Sequence, residues 1–280
     1  MAVVVVTDSS ASLPAEHVDE LDIVVAPLHV LIGDRAIREG VDPVDIDYAA
    51  DTVTTSAASP GELRAVYEQA LMLSGGDGVV AVHISRQLSA TWEAGRQAVR
   101  DMDAADRVRL VDSLGAGLAT GLPVLAAARR ARAGAPLDVV YDTAVTTSSR
   151  ARAFILVNRT EQLRRGGRLS SAAAFFGTEL VTKPLLHIVE GRLELREKAR
   201  TRSKAYAKLV AAAVDAAGEG GAAVAVQHLA AADAANTVAA QLRDLIPGIR
   251  ELVIAEFGPI LAVHLGLGAV GVLVVPGGCA

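Results

Sequence analysis

Val79-Val80-Ala81-Val82-His83-Ile84, Ser85-Arg86-Gln87-Leu88-Ser89-Ala90-Thr91 and Trp92-Glu93-Ala94-Gly95-Arg96-Gln97-Ala98 follow one another directly and read as strand, hydroxyl-rich turn and helix. The first segment is a short apolar run behind Gly75-Gly76-Asp77-Gly78, the pattern of a parallel strand covered on both faces. Ser89 is expected to be the helix N-cap, so that unpaired N–H groups and the positive end of the helix dipole lie above the strand's carboxyl end. With the hydroxyls of Ser85, Ser89 and Thr91, this place fits two readings: a cradle for a carboxylate or phosphate, or an ordinary cap in an α/β protein.

The same layout recurs on either side. Val3 to Val6 is a β-branched run ending in Thr7-Asp8-Ser9-Ser10, and Val108 to Val111 runs into Asp112-Ser113. Each is followed by helix signals, the sequence of a parallel sheet with a crevice above its carboxyl ends. Asp8 either meets a ligand hydroxyl or caps the turn that follows it. Ile23 to Leu31 reads as a second strand, with Gly33-Asp34 turning into a short arm over Arg35 to Glu39. Residues 40–58, rich in Asp, Thr, Ser and Ala, read as a loop or helical linker. Ser59-Pro60-Gly61-Glu62 is a capping box with proline at the first helical position. The helix behind it carries Leu63, Val66, Tyr67, Ala70 and Leu71 on one face. Thr55 and Ser56 then stand just outside a helix entrance. A further helix is expected over Leu118 to Arg132, ended by Gly134 and Pro136.

After Ser148 the pattern changes. Phe154 to Val157 is a strand, Arg159 to Ser171 a basic loop containing glycine, and Leu185 to Val189 with Leu193 to Leu195 a hairpin about Glu190-Gly191. Helices near 203–217 and 231–245, a strand over Ala222 to Gln227 and two glycine-flanked strands complete the chain. We therefore expect two α/β domains, a mostly parallel, Rossmann-like one over 1–150 and a mixed-sheet one over 151–280.

Composition narrows the function. Aromatic residues make up only 3% of the 280, which gives no stacking platform for single-stranded nucleic acid. The net charge of −5 exerts no general pull on nucleic acid or anionic membranes. Cys279 is the only cysteine, so no disulfide or zinc knuckle forms within one chain. The N-terminal run meets Asp8 too early for a signal peptide, and Gly258 to Pro276 is broken by His264 and glycines, so no stable membrane insertion and a cytoplasmic location are expected. Charge is uneven, however. Between Arg159 and Lys208 twelve basic residues face five acidic ones, either a solvated face or a docking surface for an acidic or phosphorylated partner.

Gly266-Leu267-Gly268-Ala269-Val270-Gly271 matches G-x-G-x-x-G but leads into a strand rather than a helix, so it is not the dinucleotide fingerprint. Its glycines instead suit close backbone approach. His264, just before them, is either a satisfied core residue or one that faces a ligand.

Taken in order, these segments resemble the DegV family. The resemblance covers nearly the whole chain. It rests on Thr7-Asp8-Ser9-Ser10, Thr55-Ser56-Ala57-Ala58-Ser59, Ile84 to Thr91, Val111-Asp112-Ser113, Leu163-Arg164-Arg165-Gly166-Gly167-Arg168-Leu169-Ser170, Lys183-Pro184, Ala199-Arg200-Thr201 and Gly258 to Gly266. It implies a two-domain DegV-like fold that buries a long-chain fatty acid, with no other cofactor and no metal. Thr55, Ser89 and His264 would hold the carboxyl group, with Asp8, Ser56, Ser85, Thr91 and Gly266 as further contacts. It further implies a substrate-presenting subunit rather than an enzyme of its own. A separate ATP-using kinase would convert the bound acid to acyl phosphate for phospholipid synthesis, and Arg168, Arg200 and Arg202 would face that partner. The chain departs from the family pattern at Ala57-Ala58, where Gln-Pro is usual, at Ala90, where Gly is, and at Leu267, where Pro is. None of these removes a proposed hydrogen-bonding side chain. Two alternatives stay open: an enzyme for a ketose or phosphosugar, with His264 as base or nucleophile and Ser89 or Asp8 assisting, and a regulatory module using the basic segment.

Overall fold

The computed structural model describes residues 2–43, 45–48, 52–158, 160–169 and 182–279. Arg159 and residues 170–181 of the basic segment, and residues 44 and 49–51 of the linker, lie outside the described residues. In chain order the first half contains β1 (Val4–Asp8), α1 (Ala15–Glu20), β2 (Val24–Ala26), β3 (His29–Ile32), β4 (Arg35–Arg38), β5 (Val53–Ser56), α2 (Pro60–Ser74), β6 (Val79–His83), α3 (Thr91–Asp101), β7 (Val108–Asp112), α4 (Leu118–Arg132) and α5 (Leu137–Arg150). The second half contains β8 (Arg152–Leu156), α6 (Glu161–Arg165), β9 (Lys183–Val189), β10 (Arg192–Ala199), α7 (Arg202–Ala217), β11 (Ala222–His228), α8 (Ala232–Leu245), β12 (Ile249–Glu256), α9 (Pro259–Leu265) and β13 (Val270–Pro276).

The first sheet has the order β2-β1-β6-β7 and is wholly parallel. The second has the order β10-β9-β8-β13-β11-β12, antiparallel except for the β11–β12 pair. This is the α/β architecture expected, with a parallel N-terminal sheet and a mixed C-terminal one. A third sheet, β4-β3-β5, is antiparallel.

Two readings are corrected here. Ile23 to Leu31 is two strands in two sheets, because Pro27 between them has no N–H to continue a ladder and the next amide, Leu28 N–H, is drawn to Ser9 Oγ at 3.0 Å. The linker contains a strand as well. Val53–Ser56 pairs with His29–Ile32, and its β-branched Val53, Thr54 and Thr55 suit that ladder once β3 supplies a partner. Ser59 and Glu62 form the reciprocal capping box expected at the start of α2. Glu190 and Gly191 both adopt positive φ, the conformation a two-residue hairpin turn between β9 and β10 requires.

A polar cluster ties β1 to β6 beneath the crevice. Asp8 accepts from Ser10 N–H and Ser10 Oγ–H on one oxygen, and from His83 Nδ1–H (2.9 Å) and Ile84 N–H (3.0 Å) on the other. His83 Nε2 bonds to the Tyr67 hydroxyl at 2.7 Å, and all three side chains are buried. Asp8 therefore serves the turn.

The two large sheets share a core through α4. Every residue from Leu118 to Ala128 is buried, as expected of a helix that is apolar all round. Leu122 and Leu125 belong to one cluster with Val5 and Val82 of the parallel sheet and Ala223 and Val275 of the mixed one. Gln227 on β11 caps α4, its Oε1 accepting from Leu118 N–H at 2.7 Å. Replacing Leu122 by Ala should lower the unfolding free energy by about 3 kcal/mol, as a cavity between two sheets that cannot both collapse onto it. Urea unfolding followed by circular dichroism measures this.

Candidate functional site

Between the parallel sheet and the mixed sheet lies a cavity whose empty space, counted with its open mouth, is about 710 Å³. Most of its wall is aliphatic. Leu28 and Ile84 come from the first half, Ile155, Ile188 and Leu193 from the mixed sheet, and Ile260, Leu261 and Leu265 from α9. Among the described lining residues, polar side chains are confined to Thr55, Ser56, Ser89, Arg168 and His264.

Thr55, Arg168 and His264 sit together at one end. Thr55 Oγ1 and His264 Nε2 are 2.8 Å apart and share a hydrogen bond across 209 residues of sequence. Arg168 Nε–H donates to Leu88 O at 3.3 Å, beside Ser89, and a second guanidinium nitrogen donates to Gly166 O. Burial, and secondarily the Arg168 cation, push the His264 pKa down to about 4, so the imidazole is neutral at pH 7. The same end opens into a surface groove that shares Thr55, Arg168 and His264 with the cavity and continues past Tyr48, Gln162 and Arg165.

The helix that carries His264 is gripped at both ends. At its start, Glu39 Oε1 accepts from Ile260 N–H at 3.0 Å and Ser12 Oγ accepts from Gly258 N–H at 3.1 Å. At its end stands the Thr55 bond. Burial raises the Glu39 carboxyl to about 7. Gly166 closes the fit, since a Cβ there would lie 2.6 Å from His264 Nδ1. The three glycines of the misleading G-x-G-x-x-G motif have the same use: a Cβ at Gly266, Gly268 or Gly271 would meet Gln162, Asn158 or Phe257 respectively.

Several sequence expectations are redirected by this geometry. Thr55, Ser56, Ser89 and His264 line the cavity, but Asp8, Ser85 and Thr91 do not. Asp8 is consumed by the cluster around His83. Ser85 Oγ–H donates to Gly191 O at 2.8 Å, pinning the β9–β10 hairpin. Thr91 is buried against Ser89, with 2.9 Å between hydroxyl oxygens. Gly266 lies outside, in a neighbouring surface groove. Ser89 is not the N-cap of α3. Leu88 N–H and Ser89 N–H both bond to Ser85 O, an extra turn that delays the helix to Thr91, and Ala90 takes the cap position without a side-chain bond. Arg168 points to the cavity end, whereas Arg200 and Arg202 are exposed, the latter stacked on Tyr206 at 5.7 Å. Glu39, Ser12 and Gly166 escaped the sequence reading; of these, only the Gly166-Gly167 pair carried a signal.

A family model described as "Uncharacterised protein, DegV family" matches residues 2–277. The chain belongs to the DegV family. It is 44% identical over 274 residues to a DegV domain-containing protein of Mycobacterium tuberculosis, covering 98% of this chain and 97% of that one. Among solved structures, a DegV family protein from Corynebacterium glutamicum superposes with a TM-score of 0.88 at 38% identity, over 99% of this chain and 98% of the other. A DegV family protein from Thermus thermophilus, whose structure describes fatty acid binding, superposes with a TM-score of 0.90 at 29% identity, over 99% and 100%. Among the described residues of this DegV protein, no helix is long and apolar enough to cross a membrane.

Glu39 and His264 give opposite pH dependences. The His264 pKa is depressed from 6.5, so the unfolded chain binds its proton first and the stability due to the neutral imidazole is lost as pH falls from about 6.5 to 4. Glu39 is raised from 4.5, so its contribution is full at low pH and is lost as pH rises towards 7. Glu39→Gln should therefore be less stabilising at pH 5 than at pH 8 relative to the parent, and His264→Asn should flatten the acid side. Melting temperatures between pH 4.5 and 8 test both.

Proposed function

We propose that this chain binds a long-chain fatty acid, its tail in the aliphatic cavity and its carboxylate at Thr55, His264 and Arg168, and presents that carboxyl group to a separate ATP-using kinase subunit. The observation that carries the reading is the segregation of the lining: an aliphatic wall with Thr55, Arg168 and His264 gathered at the end that opens to the surface. Fatty acid binding by the Thermus thermophilus relative supports it. A buried tail contributes about 0.8 kcal/mol per methylene before ordering costs. A carboxylate brought into such a wall needs donors, because an unpaired buried charge is very costly. The Arg168 guanidinium, the Thr55 and Ser89 hydroxyls and the His264 ring supply them. A carboxylate there also draws the His264 pKa upward, so binding is coupled to proton uptake as pH falls.

Phosphoryl transfer requires a nucleotide site, which the kinase would bring. Arg200 and Arg202, exposed in the basic segment, would meet it, while Arg168 would serve the ligand. The whole process, from loading to acyl phosphate, would take place in the cytoplasm.

Native mass spectrometry, followed by denaturation and organic extraction, is expected to show a non-covalent adduct of fatty-acid mass that is lost on unfolding. Protein that arrives empty and takes up no added fatty acid would overturn the reading. Thr55→Val and Arg168→Gln should each weaken uptake roughly tenfold, the scale of one charge-assisted hydrogen bond. Arg202→Glu should leave uptake unchanged and weaken capture of the kinase subunit, as read by co-purification.

A further inference from the structure

Among the described residues that line the cavity, Phe257 is the one phenylalanine, and its seat is made by one glycine. Phe257 lies between the end of β12 and Gly258, lines the cavity and is 5% exposed. Its backbone is fixed by a 2.8 Å bond from its N–H to His228 O. The ring tip rests over Gly271, the second residue of β13, where a Cβ would lie 2.9 Å from Phe257 Cζ and 3.7 Å from Ile155 Cγ1. Ile155 is the cross-strand partner of Gly271 and also lines the cavity, so the two positions share the face turned towards it. The other residues of β13 up to Val275 are Val or Leu. Gly271 is thus a notch in an otherwise filled sheet face, and the notch is occupied by an aromatic side chain that comes from outside the strand.

The position of the notch matters. Six residues, most of them in α9, lie between Phe257 and His264, seven helical steps of which would rise about 10 Å. A tail that starts at His264 and runs along α9 towards Phe257 would meet the ring part-way along its length rather than at its carboxyl end. A ring edge is stiff, with two torsions and no way to fold aside, and its retreat is blocked by β13.

We propose that Phe257, seated on Gly271, is the specificity-determining residue for the middle of the acyl chain, admitting a straight tail and restricting one that is bent there. This inference rests on the fatty-acid reading above. It makes opposite demands on two residues: removing the ring widens the lumen at that depth, and filling the notch drives the ring into the lumen and narrows it. A packing residue with no role in selection would lower stability in both variants without changing the choice between ligands.

The test is competition of equimolar stearate and oleate, equal in length and differing by the mid-chain cis double bond, for the purified full chain, with bound acid extracted and weighed by mass spectrometry. Phe257→Ala should raise the oleate-to-stearate ratio about tenfold over the parent, the scale of a small volume change in an apolar pocket, and Phe257→Leu should raise it less. Gly271→Ala should lower it. Should Phe257→Ala fail to fold, Phe257→Leu and Gly271→Ala decide the matter. Ratios within twofold of the parent in folded variants would overturn the assignment while leaving the fatty-acid reading intact. A parent protein that takes up neither acid would overturn both.

Discussion

A seven-residue helix clamped at both ends by distant parts of the chain is the constraint on which the site depends. Pro259–Leu265 is too short to be stable alone, since a nucleus of helix is costly and few intrahelical bonds repay it. Glu39 and Ser12 hold its first amides, and Thr55 meets His264 near its last turn. Through this clamp the antiparallel β3–β5 ladder, which bears Thr55, is registered against the mixed sheet that follows the helix. One side of the helix then becomes cavity wall, and its histidine becomes part of the cavity's polar end.

That clamp has an electrostatic cost that the fold turns to use. Glu39 is buried, and its carboxyl is raised to about 7, yet negative charge at a helix start is favoured by the dipole. His264 is buried at the other end and neutral beside Arg168. The proposed carboxylate would meet a fixed cation, neutral donors and an imidazole whose protonation its charge would favour. For the carboxylate proposed above, such preorganisation would lower the cost of desolvating its charge, while the aliphatic wall would supply most of the affinity.

Sealed polar groups elsewhere define where the site stops. The Asp8–His83–Tyr67 cluster lies at the carboxyl ends of the parallel strands, the place where ligands of open α/β sheets usually bind, but each of its atoms is engaged in holding β1, β6 and α2 together. Ser85 is likewise spent on the β9–β10 hairpin, bringing Ile188 and Leu193 over the cavity. The crevice has become a covered chamber.

The parallel sheet, the capping box before α2, the β9–β10 hairpin and the helix α4 were legible in the residues themselves, because β-branched apolar runs, cap chemistry, turn residues and helix stop signals are local. Thr55, Ser89 and His264 were named by the family resemblance, and all three line the cavity. Tertiary structure alone decided that Ile23 to Leu31 divides between two sheets, that Val53–Ser56 is a strand, and that Ser85 and Asp8 turn inward. It also placed Arg168 at the cavity end and put Phe257 in the notch left by Gly271. The reason is common to all of these: each depends on a partner tens to hundreds of residues away, and a hydroxyl, a carboxylate or a glycine is the same in sequence whether its neighbour is a ligand, a backbone amide or an aromatic ring.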